Sequence, residues 1–370
     1  MIIFHPLLCY YPSQAGGPAN TLYWLNNALA KKDYNIKVLS SNFGIKDSKN
    51  LAIQADYSEQ QEVKFLDSKM GFIREGISFL RASDIIQFSS IFFPPTLPLL
   101  IMAILSNKKI IISPRGELYP AALSIKSFQK RIWLKIIRSF QRKIFFHATN
   151  DYEKQIIQRE FPDAAGIGVI PNFIELPTKL SIEENRSQLL FIGRINPIKN
   201  IDILIQAISL LKKENKDVNL LIAGEARLDY EKDYYSQLKE LVIMSKLQEN
   251  ITFLGHIDKE EKQKHIASSF ALILPSKSEN FGNVVIEALA QGTPVIASKN
   301  TPWEILEKTE SGYWVEAEVE QLITAIKKIL VLDEKKYALM RESAYNLCME
   351  KFDISTNVHQ WDSFYKKIIN

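Results

Sequence analysis

The chain has 370 residues, of which 46% are hydrophobic and 24% are charged, and its formal net charge is +4. These values are typical of a globular protein and exclude a chain that is disordered over long stretches. A single hydrophobic core rarely organises so many residues, so the length predicts two domains.

The cysteines and histidines exclude several kinds of site. Cys9 and Cys348 are the only cysteines, and they lie far apart in the sequence without ligand-like neighbours. This pattern excludes a disulfide framework and a zinc site. The five histidines show no metal-binding spacing either. We therefore expect no metal site.

The N-terminal residues, MIIFHPLLCYYPSQ, lack a basic leader and a small-residue cleavage site. They predict a buried first strand instead of a signal peptide. The longest apolar run, 92–105, contains three prolines and is shorter than the roughly 20 residues that a bilayer span needs. We expect no transmembrane helix and a cytoplasmic protein.

Strand-like apolar runs alternate with helical periodicity, which is the pattern of parallel sheets covered by helices. The predicted strands of the first half are MIIFHPLL, NIKVLSS, Asp84–Phe88, KKIIISP from Lys108, IFFHATN from Ile144 and a short strand that ends at Ile170. A Gly-rich turn at Gly16 and Gly17 and a helix over Ala19–Lys31 follow the first strand. The fold class is therefore α/β.

A Pro-Asn turn and a polar stretch follow Ile170 and predict a domain boundary. The predicted elements beyond it are strand LLFIGRI, helix Ile201–Lys213, strand VNLLIAG, helix Tyr230–Leu247, strand ITFLG, a helix from Lys259, strand ALILP, helix Gly282–Gln291 and strand PVIAS. After Tyr313 the chain is predicted to be mostly helical, ending in a helix near Val358–Ile369. The expected domains are 1–172 and 173–350, with 351–370 as a C-terminal helix that packs toward the N-terminal domain.

The segment LILPSKSENFGNVVIEALAQGTPVIAS, residues 272–298, places a helix start at the carboxyl edge of a parallel sheet. Unpaired N–H groups and the helix dipole favour a phosphate there. Gly282 permits close approach of a ligand, and Asn280 is predicted to cap the helix. Glu279 and Glu287 would repel a phosphate, so we expect them to accept hydrogen bonds from hydroxyl groups, Glu287 from a ribose and Glu279 from a sugar.

A second cluster, FIGRINPIKN, follows a predicted strand that ends at Gly193. Arg194 and Lys199 precede a helix, and two cations beside a helix N-terminus can neutralise a diphosphate. Such neutralisation stabilises a departing nucleoside diphosphate. A solvated basic loop is the alternative interpretation, which the glutamates of the previous cluster disfavour.

These segments resemble the Glu-x7-Glu motif of the retaining GT-B glycosyltransferases, often called group 1. FIGRINPIKNIDILIQAI, LLIAGEA and ITFLGHI resemble its companion motifs, over about Gln188–Ser311. PSQAGGPANTLYWLNNALAKKDYNIKVLSS and VIPNFIE are similar to first-domain segments. The resemblance implies two Rossmann-like domains with parallel sheets facing a cleft. The second would bind the donor and the first the acceptor, with retention of anomeric configuration and without a divalent metal.

The resemblance also implies the roles of individual residues. Arg194, Lys199 and Glu279 are the expected catalytic residues. The expected donor-binding residues are Gly17, Gly193, Arg194, Lys199, Glu225, Ile257, Glu279, Asn280, Phe281, Gly282, Asn283 and Glu287. No cofactor is expected, because the nucleotide sugar is a substrate.

The segment SPRGELYPAAL departs from the family pattern. Many members have a His-containing turn after this first-domain strand, whereas this chain has Arg115 and Gly116. These two residues are the expected acceptor-side pair. The Pro-Arg-Gly form is similar to a subset of bacterial surface-polysaccharide enzymes.

The predicted activity is a retaining, metal-independent transfer of a hexose-type sugar from a nucleotide diphosphate donor. The expected acceptor is a glycan or a lipid-linked glycan of bacterial cell-surface polysaccharide or glycoconjugate synthesis. A nucleotide-sugar epimerase of related architecture is the alternative. A nicotinamide-dependent enzyme is disfavoured, because Gly16-Gly17 does not provide the Gly-x-Gly-x-x-Gly motif that such enzymes place directly after a strand.

The segment 124–143 lies in a stretch without acidic residues between Glu117 and Asp151. Its cations are Lys126, Lys130, Arg131, Lys135, Arg138, Arg142 and Lys143, and they alternate with the apolar residues Ile125, Phe128, Ile132, Ile136 and Phe140. Such a helix suits an anionic membrane surface or a pyrophosphate-bearing lipid. A helix packed on its domain with a solvated basic face is the alternative. We expect no nucleic-acid binding, because no recognition fold accompanies the basic stretch.

Overall fold

The computed structural model describes residues 1–13, 17–45, 57–125, 127–216 and 218–370. Gly16 of the predicted Gly-rich turn and Lys126 of the basic segment lie outside these ranges. The chain folds into two compact units. The first comprises Met1–Glu175 together with Asp353–Asn370, and the second comprises Leu176–Phe352.

The described part of the first unit contains a parallel sheet of seven strands in the order β3-β2-β1-β4-β5-β6-β7. Its strands are β1 (Ile2–Leu7), β2 (Asn35–Ser40), β3 (Gln61–Phe65), β4 (Ile85–Phe88), β5 (Lys109–Ile112), β6 (Ile144–Ala148) and β7 (Gly166–Val169). Its helices are α1 (Gly17–Ala30), α2 (Lys69–Arg81), α3 (Thr96–Leu105), α4 (Pro120–Ser124), α5 (Ser127–Ser139), α6 (Asp151–Glu160), α14 (Ile354–Asn357) and α15 (His359–Ile369).

The described part of the second unit has a parallel sheet of six strands in the order β10-β9-β8-β11-β12-β13. Its strands are β8 (Asn185–Ile192), β9 (Asn219–Ala223), β10 (Ile251–Gly255), β11 (Ser269–Leu274), β12 (Val295–Ser298) and β13 (Gly312–Val315). Its helices are α7 (Ile201–Lys213), α8 (Asp229–Met244), α9 (Lys259–Ser268), α10 (Asn283–Ala290), α11 (Ile305–Lys308), α12 (Val319–Leu330) and α13 (Glu334–Lys351).

Several inner strands of the two sheets are buried along their whole length and mostly apolar, because helices cover both faces. Every residue of β4, β11 and β12 is buried. Such continuous apolar runs are typical of parallel sheets and explain why the sequence predicts strands without alternating polarity. The predicted α/β fold with two Rossmann-like sheets is confirmed.

Two strands are missing from the sequence prediction. In β3 the residues alternate between exposed and half-buried, because the strand lies at the edge of its sheet. β13, Gly312–Val315, is also an edge strand. Beyond β13 the chain forms α12, α13, α14 and α15, so the prediction that it is mostly helical after Tyr313 is confirmed apart from the end of this strand.

The strand order locates the site of each sheet. In the first sheet the direction of winding reverses between β1 and β4, and in the second it reverses between β8 and β11. The chain continues from two such strands to opposite faces of the sheet, which opens a crevice between their loops. Ligands bind in this crevice in doubly wound sheets. None of the helices in the described part of the chain is long and apolar enough to cross a membrane.

Candidate functional site

In the second unit, the loops that follow β8 and β11 meet at the reversal point. The amide of Lys277 donates a hydrogen bond to the carbonyl oxygen of Ile198 at 2.8 Å, which joins the two loops through their backbones. Lys199 and Glu279, from the same two loops, form an ion pair. Each side chain is 17% exposed. The structure thus brings together two of the three predicted catalytic residues.

Gly282 starts the helix that follows this pair. It is the N-cap of α10 and has a φ of 84°, a left-handed conformation that favours glycine. A Cβ at this position would lie 3.0 Å from Leu274 Cδ2 and 3.3 Å from Glu279 Cγ. A side chain here would therefore disturb the loop that carries Glu279.

The predicted cap of α10 is wrong. The N-cap position belongs to Gly282 instead of Asn280, and α10 begins at Asn283 without a side-chain cap. The left-handed Gly282 turns the chain two residues after Asn280. Gly282 has no side chain, so nothing beyond the backbone occupies the N-cap position, and the helix dipole makes this N-terminus a favourable place for an anion.

Phe281 fixes the same loop from below. Its carbonyl oxygen accepts a hydrogen bond from Trp303 Nε1 at 2.5 Å, and its ring packs edge-on against the buried Trp303. Its ring also meets that of Phe352. The buried side chain of Phe281 therefore anchors the loop and is not available to contact a ligand.

Arg194 is held separately from the Lys199–Glu279 pair. Its Nε lies 3.4 Å from Glu231 Oε1, and its side chain is 55% exposed. Glu231 is fully buried and accepts hydrogen bonds from the amides of Arg227 and Leu228. Burial alone would raise the pKa of Glu231, but these amides, Asn196 and Arg194 outweigh it and lower that pKa. A fixed, ionised carboxylate therefore orients Arg194.

Gly193 lies where the ends of β8 and β9 approach closely. A Cβ on the neighbouring Gly224, whose φ is +146°, would come within 1.8 Å of Gly193 O. Glu225 follows, and its carbonyl oxygen accepts a hydrogen bond from the amide of Ile195 at 3.0 Å. Its carboxylate lies 3.5 Å from Arg227. The structure thus places Glu225 beside the loop that carries Arg194.

Glu287 has a counterion that the sequence did not indicate. Lys262 Nζ lies 2.8 Å from Glu287 Oε1, which joins α9 to α10. Asp258 caps α9 by accepting a hydrogen bond from the amide of Glu261. Ile257 directly precedes this cap and follows β10, at the edge of the sheet. Ile257 and Glu287 are therefore connected through one short helix.

Glu231 and Lys262 are the site residues that sequence reasoning missed. Glu231 occupies the third position of α8, where a carboxylate commonly caps a helix, so its position carried a weak signal. Lys262 lies 25 residues before Glu287 and has no recognisable motif. Only the tertiary fold reveals these two partners.

The predicted acceptor-side residues lie in the first unit, directly after β5. Arg115 has a φ of 50° and Gly116 a φ of 83°. Glu153 accepts a hydrogen bond from the amide of Gly116 at 2.6 Å, and Asn172 Oδ1 accepts one from Arg115 Nη1 at 3.2 Å. Burial lowers the pKa of the Arg115 guanidinium. The loop is therefore held in a left-handed turn by a buried carboxylate.

A chain of buried polar side chains runs beneath this loop. Tyr365 donates to Gln87 Oε1 at 2.6 Å, Gln87 Nε2 lies 3.4 Å from Ser113 Oγ, and Ser113 Oγ lies 3.0 Å from His147 Nδ1. His147 Nε2 lies 2.8 Å from the carbonyl oxygen of Ile170. A carbonyl can only accept, so Nε2 carries the proton and Nδ1 accepts from Ser113. Burial and the charge of Arg115 lower the pKa of His147 to about 3.

The remaining predicted donor-binding residue, Gly17, is the first residue of α1 in the first unit. It therefore belongs to a different unit from the other donor-binding residues. Within the described residues, no group of three His, Cys, Asp or Glu side chains could hold a metal ion.

The basic segment 124–143 begins at the last residue of α4, contains α5 and presents two apolar stripes. Leu134 and Ile137 are buried against the first unit. Ile125, Phe128 and Ile132 lie in the solvent, with exposed fractions of 65%, 75% and 46%. The stripe predicted from the sequence is therefore exposed at its N-terminal end and half-buried at Ile136 and Phe140.

Comparison with known proteins finds a family similar to the second unit. Residues 172–347 match the family model of "Glycosyl transferases group 1". An uncharacterized glycosyltransferase of Methanocaldococcus jannaschii is 31% identical over 144 residues, 38% of this chain and 35% of that protein. The alpha-monoglucosyldiacylglycerol synthase of Streptococcus pneumoniae is 30% identical over 158 residues, 41% of this chain and 34% of that protein. The match thus spans about a third of the length of these curated relatives.

Solved structures resemble the whole chain. Sucrose-phosphate synthase from Thermosynechococcus elongatus superposes with a TM-score of 0.80 at 18% identity, covering 99% of this chain and 98% of that one. Anabaena HepE, solved in complex with UDP and glucose, gives 0.76 at 19% identity, covering 99% of both chains. At these identities the likeness establishes the fold. Residues 172–347 are therefore similar to the group 1 glycosyl transferases, and the chain as a whole has the GT-B fold.

Proposed function

We propose that the protein is a retaining glycosyltransferase that moves a hexose-type sugar from a nucleoside diphosphate donor to an acceptor hydroxyl. The observation that carries this proposal is the Lys199–Glu279 pair, whose carboxylate lies in the loop before the N-terminus of α10, at the reversal point of a domain that matches the family model. A cation and a helix N-terminus suit a diphosphate, and a carboxylate beside them suits the hydroxyls of a sugar.

Each charged residue has a distinct task in this proposal. Lys199, Arg194 and the first amides of α10 hold the diphosphate and stabilise the charge that grows on it as it leaves. Glu279 accepts hydrogen bonds from the sugar hydroxyls, and Glu287 accepts them from the ribose. Glu231 and Lys262 orient Arg194 and Glu287 from behind.

The proposed reaction proceeds on one face of the sugar. The bond between the anomeric carbon and the diphosphate oxygen breaks, and the acceptor oxygen forms its bond to the same face of that carbon. A phosphate oxygen of the leaving group takes the acceptor proton. Charge neutralisation by side chains and a helix terminus makes a divalent metal unnecessary, so we propose a metal-independent reaction.

We further propose that the acceptor is a glycan or a lipid-linked glycan of bacterial surface polysaccharide or glycoconjugate synthesis. Arg115 and Gly116 would meet it from the first unit, where a buried carboxylate fixes their turn. One relative is named for the synthesis of alpha-monoglucosyldiacylglycerol, which supports a lipid-linked acceptor.

Transfer assays with a panel of nucleotide sugars and lipid-linked or free glycan acceptors test this function. We expect one donor to give a glycosylated product of unchanged anomeric configuration by NMR, with full turnover in excess EDTA. Glu279→Ala and Lys199→Ala should each lower transfer by about 10²–10³-fold and leave the thermal unfolding profile intact. Wild-type turnover in either folded variant would remove the site, and a strict magnesium or manganese requirement would contradict metal independence.

The same assay decides between this function and an epimerase. Epimerisation would convert the donor into a second nucleotide sugar without an acceptor, which NMR of the donor alone detects. The group 1 family match supports the transferase. A hydride transfer to nicotinamide would appear as an absorbance change, and the paired charges at the β8–β11 reversal point do not favour it.

A second proposal concerns the exposed stripe of α4–α5, which we propose contacts an anionic membrane surface. Ile125, Phe128 and Ile132 are exposed beside the cations Arg131 and Lys135, for which the described residues provide no ion pair. Arg138 and Arg142 instead pair with Glu160 and Asp163 of the same unit. Apolar residues flanked by unpaired cations suit the interface of an anionic leaflet, where each cation contributes about 1 kcal/mol.

Co-sedimentation with phosphatidylserine-containing vesicles tests this contact at low and high salt. Arg131→Gln/Lys135→Gln should weaken low-salt binding, and Phe128→Ser should weaken it further. The matched control is Lys213→Gln/Lys335→Gln, which removes the same charge from exposed positions of the second unit. Equal binding of all variants, or no binding of the wild type, would leave a solvated packing helix as the better interpretation.

A further inference from the structure

The two residues that the proposed function assigns to different parts of the donor neutralise each other. Lys199 is assigned to the diphosphate and Glu279 to the sugar, yet the two side chains form an ion pair. The backbone hydrogen bond between Lys277 and Ile198 fixes their two loops relative to each other. The pair is therefore a feature of the folded site and not a chance meeting of two flexible side chains.

The Lys199–Glu279 pair lies where solvent screens its charges only weakly. Both side chains are largely shielded from solvent, so water and salt screen the pair less than they screen a surface pair. A diphosphate that takes Lys199 must displace Glu279 and leave this carboxylate without its counterion. Leaving one member of a shielded ion pair unpaired is costly.

Resting on the proposed function, we propose that Glu279 is an internal competitor that opposes the binding of nucleoside diphosphate and promotes its release after transfer. While the donor is intact, the sugar hydroxyls donate to Glu279 and compensate for the loss of Lys199. Once the sugar has left, Glu279 is uncompensated and pairs again with Lys199. The site therefore discriminates the nucleotide sugar from the nucleoside diphosphate by a carboxylate as well as by direct contacts.

The proposal predicts that removing a site carboxylate strengthens binding of the product. Glu279→Gln keeps the shape of the side chain but cannot neutralise Lys199. We expect the folded variant to bind a nucleoside diphosphate about tenfold more tightly than the wild type, which corresponds to about 1.4 kcal/mol. Its affinity for the matching nucleotide sugar should rise by less, so the ratio between the two ligands should fall.

Isothermal titration calorimetry with UDP, GDP, ADP and dTDP provides the measurement, using the full chain. A double-mutant cycle separates competition from simple repulsion between Glu279 and the phosphates. In a Lys199→Gln background, competition predicts that Glu279→Gln changes the affinity by no more than about twofold. Simple repulsion predicts the same gain in both backgrounds and would overturn the proposal.

Glu287→Gln is the matched control, because it makes the same chemical change at a carboxylate whose partner, Lys262, is not assigned to the diphosphate. It should weaken nucleoside diphosphate binding. An unchanged or lower affinity of Glu279→Gln, with wild-type binding weakened by Lys199→Gln, would overturn the competitor and leave the proposed function standing. If the wild type binds none of the four diphosphates, both proposals fail. Thermal unfolding of each variant verifies that it is folded.

Discussion

The two sheets share one winding pattern but prepare their carboxyl edges differently. Both reverse direction beside their first strand, between β1 and β4 in one unit and between β8 and β11 in the other. In the second unit, the edge carries paired charges, and the side chains of the Lys199–Glu279 pair at the reversal point are each 17% exposed. In the first, a neutral chain from Tyr365 to His147 lies fully buried beneath the edge.

The difference shows how one topology serves two kinds of ligand. A parallel sheet determines where a crevice opens, whereas the side chains at the strand ends determine what it can hold. Paired charges near the surface can be redistributed when an anion enters. A buried neutral network cannot exchange its partners cheaply, since each unsatisfied group costs about 1–3 kcal/mol. The carboxyl edge of the second sheet can therefore exchange ion-pair partners when a ligand binds, whereas that of the first sheet stays rigid.

The largest expected effect comes from removing a charge at the carboxyl edge of the second sheet. Lys199→Ala should lower kcat/KM by about 10²–10³, because it removes a cation that acts on the leaving diphosphate. Lys262→Ala should cost only about tenfold, mainly through KM, because Lys262 acts by orienting Glu287. Steady-state kinetics of the two variants measures the ratio. Equal losses would mean that the two ion pairs contribute to the reaction in the same way.

A smaller effect is expected from removing one hydroxyl group of the buried polar network in the first unit. Tyr365→Phe leaves Gln87 Oε1 without its donor, and we expect the free energy of unfolding to fall by about 1–3 kcal/mol. Nucleoside diphosphate affinity should not change, because Tyr365 lies in the other unit. Tyr337→Phe is the matched control, since its buried hydroxyl donates to Phe270 O in the second unit. Urea titration gives the stability, and a loss of nucleotide affinity in Tyr365→Phe would contradict the separation of roles.

The sequence predicts those strands of both sheets that consist mainly of apolar residues. The strands β4, β11 and β12 are buried on both faces, and the runs IIQF, SFALIL and VIAS announce them. The edge strand β3, QEVKF, is half polar and resembles a loop in sequence. Its place depends on pairing with β2, which local sequence does not encode.

The site was predictable where a loop leaves a strand, and unpredictable where a distant element completes it. Lys199 and Glu279 follow strands that end at adjacent positions, so their meeting follows from the topology. The link from Tyr365 to Gln87 spans 278 residues and depends on how α15 docks on the first sheet. The predicted cap at Asn280 failed because a left-handed glycine ended the loop instead. Backbone conformation at one residue decided that outcome.

A change of pH, which alters no residue, sharpens the comparison. Burial and the charge of Arg115 lower the pKa values of His5 and His147 to about 3, from an ordinary value of 6.5. In the unfolded chain both histidines bind a proton below pH 6.5, whereas in the folded chain they stay neutral to about pH 3. The unfolded state therefore binds more protons in this window, and stability is lost as the pH falls through it.

Nitrogen NMR of the histidine side chains between pH 7.5 and 5 measures this directly. The resonances of His147 should remain those of a neutral ring protonated at Nε2, because Nε2 donates to Ile170 O and Nδ1 accepts from Ser113. Each such histidine should lower the free energy of unfolding by up to about 1.4 kcal/mol per pH unit below 6.5. Ser113→Ala removes the donor to Nδ1 and should leave the ring neutral, since burial is the larger cause of the shift. A His147 resonance that titrates near pH 6.5 in the folded wild type would mean that water reaches the ring. The carboxyl edge of the first sheet could then hold a charged side chain as readily as that of the second sheet.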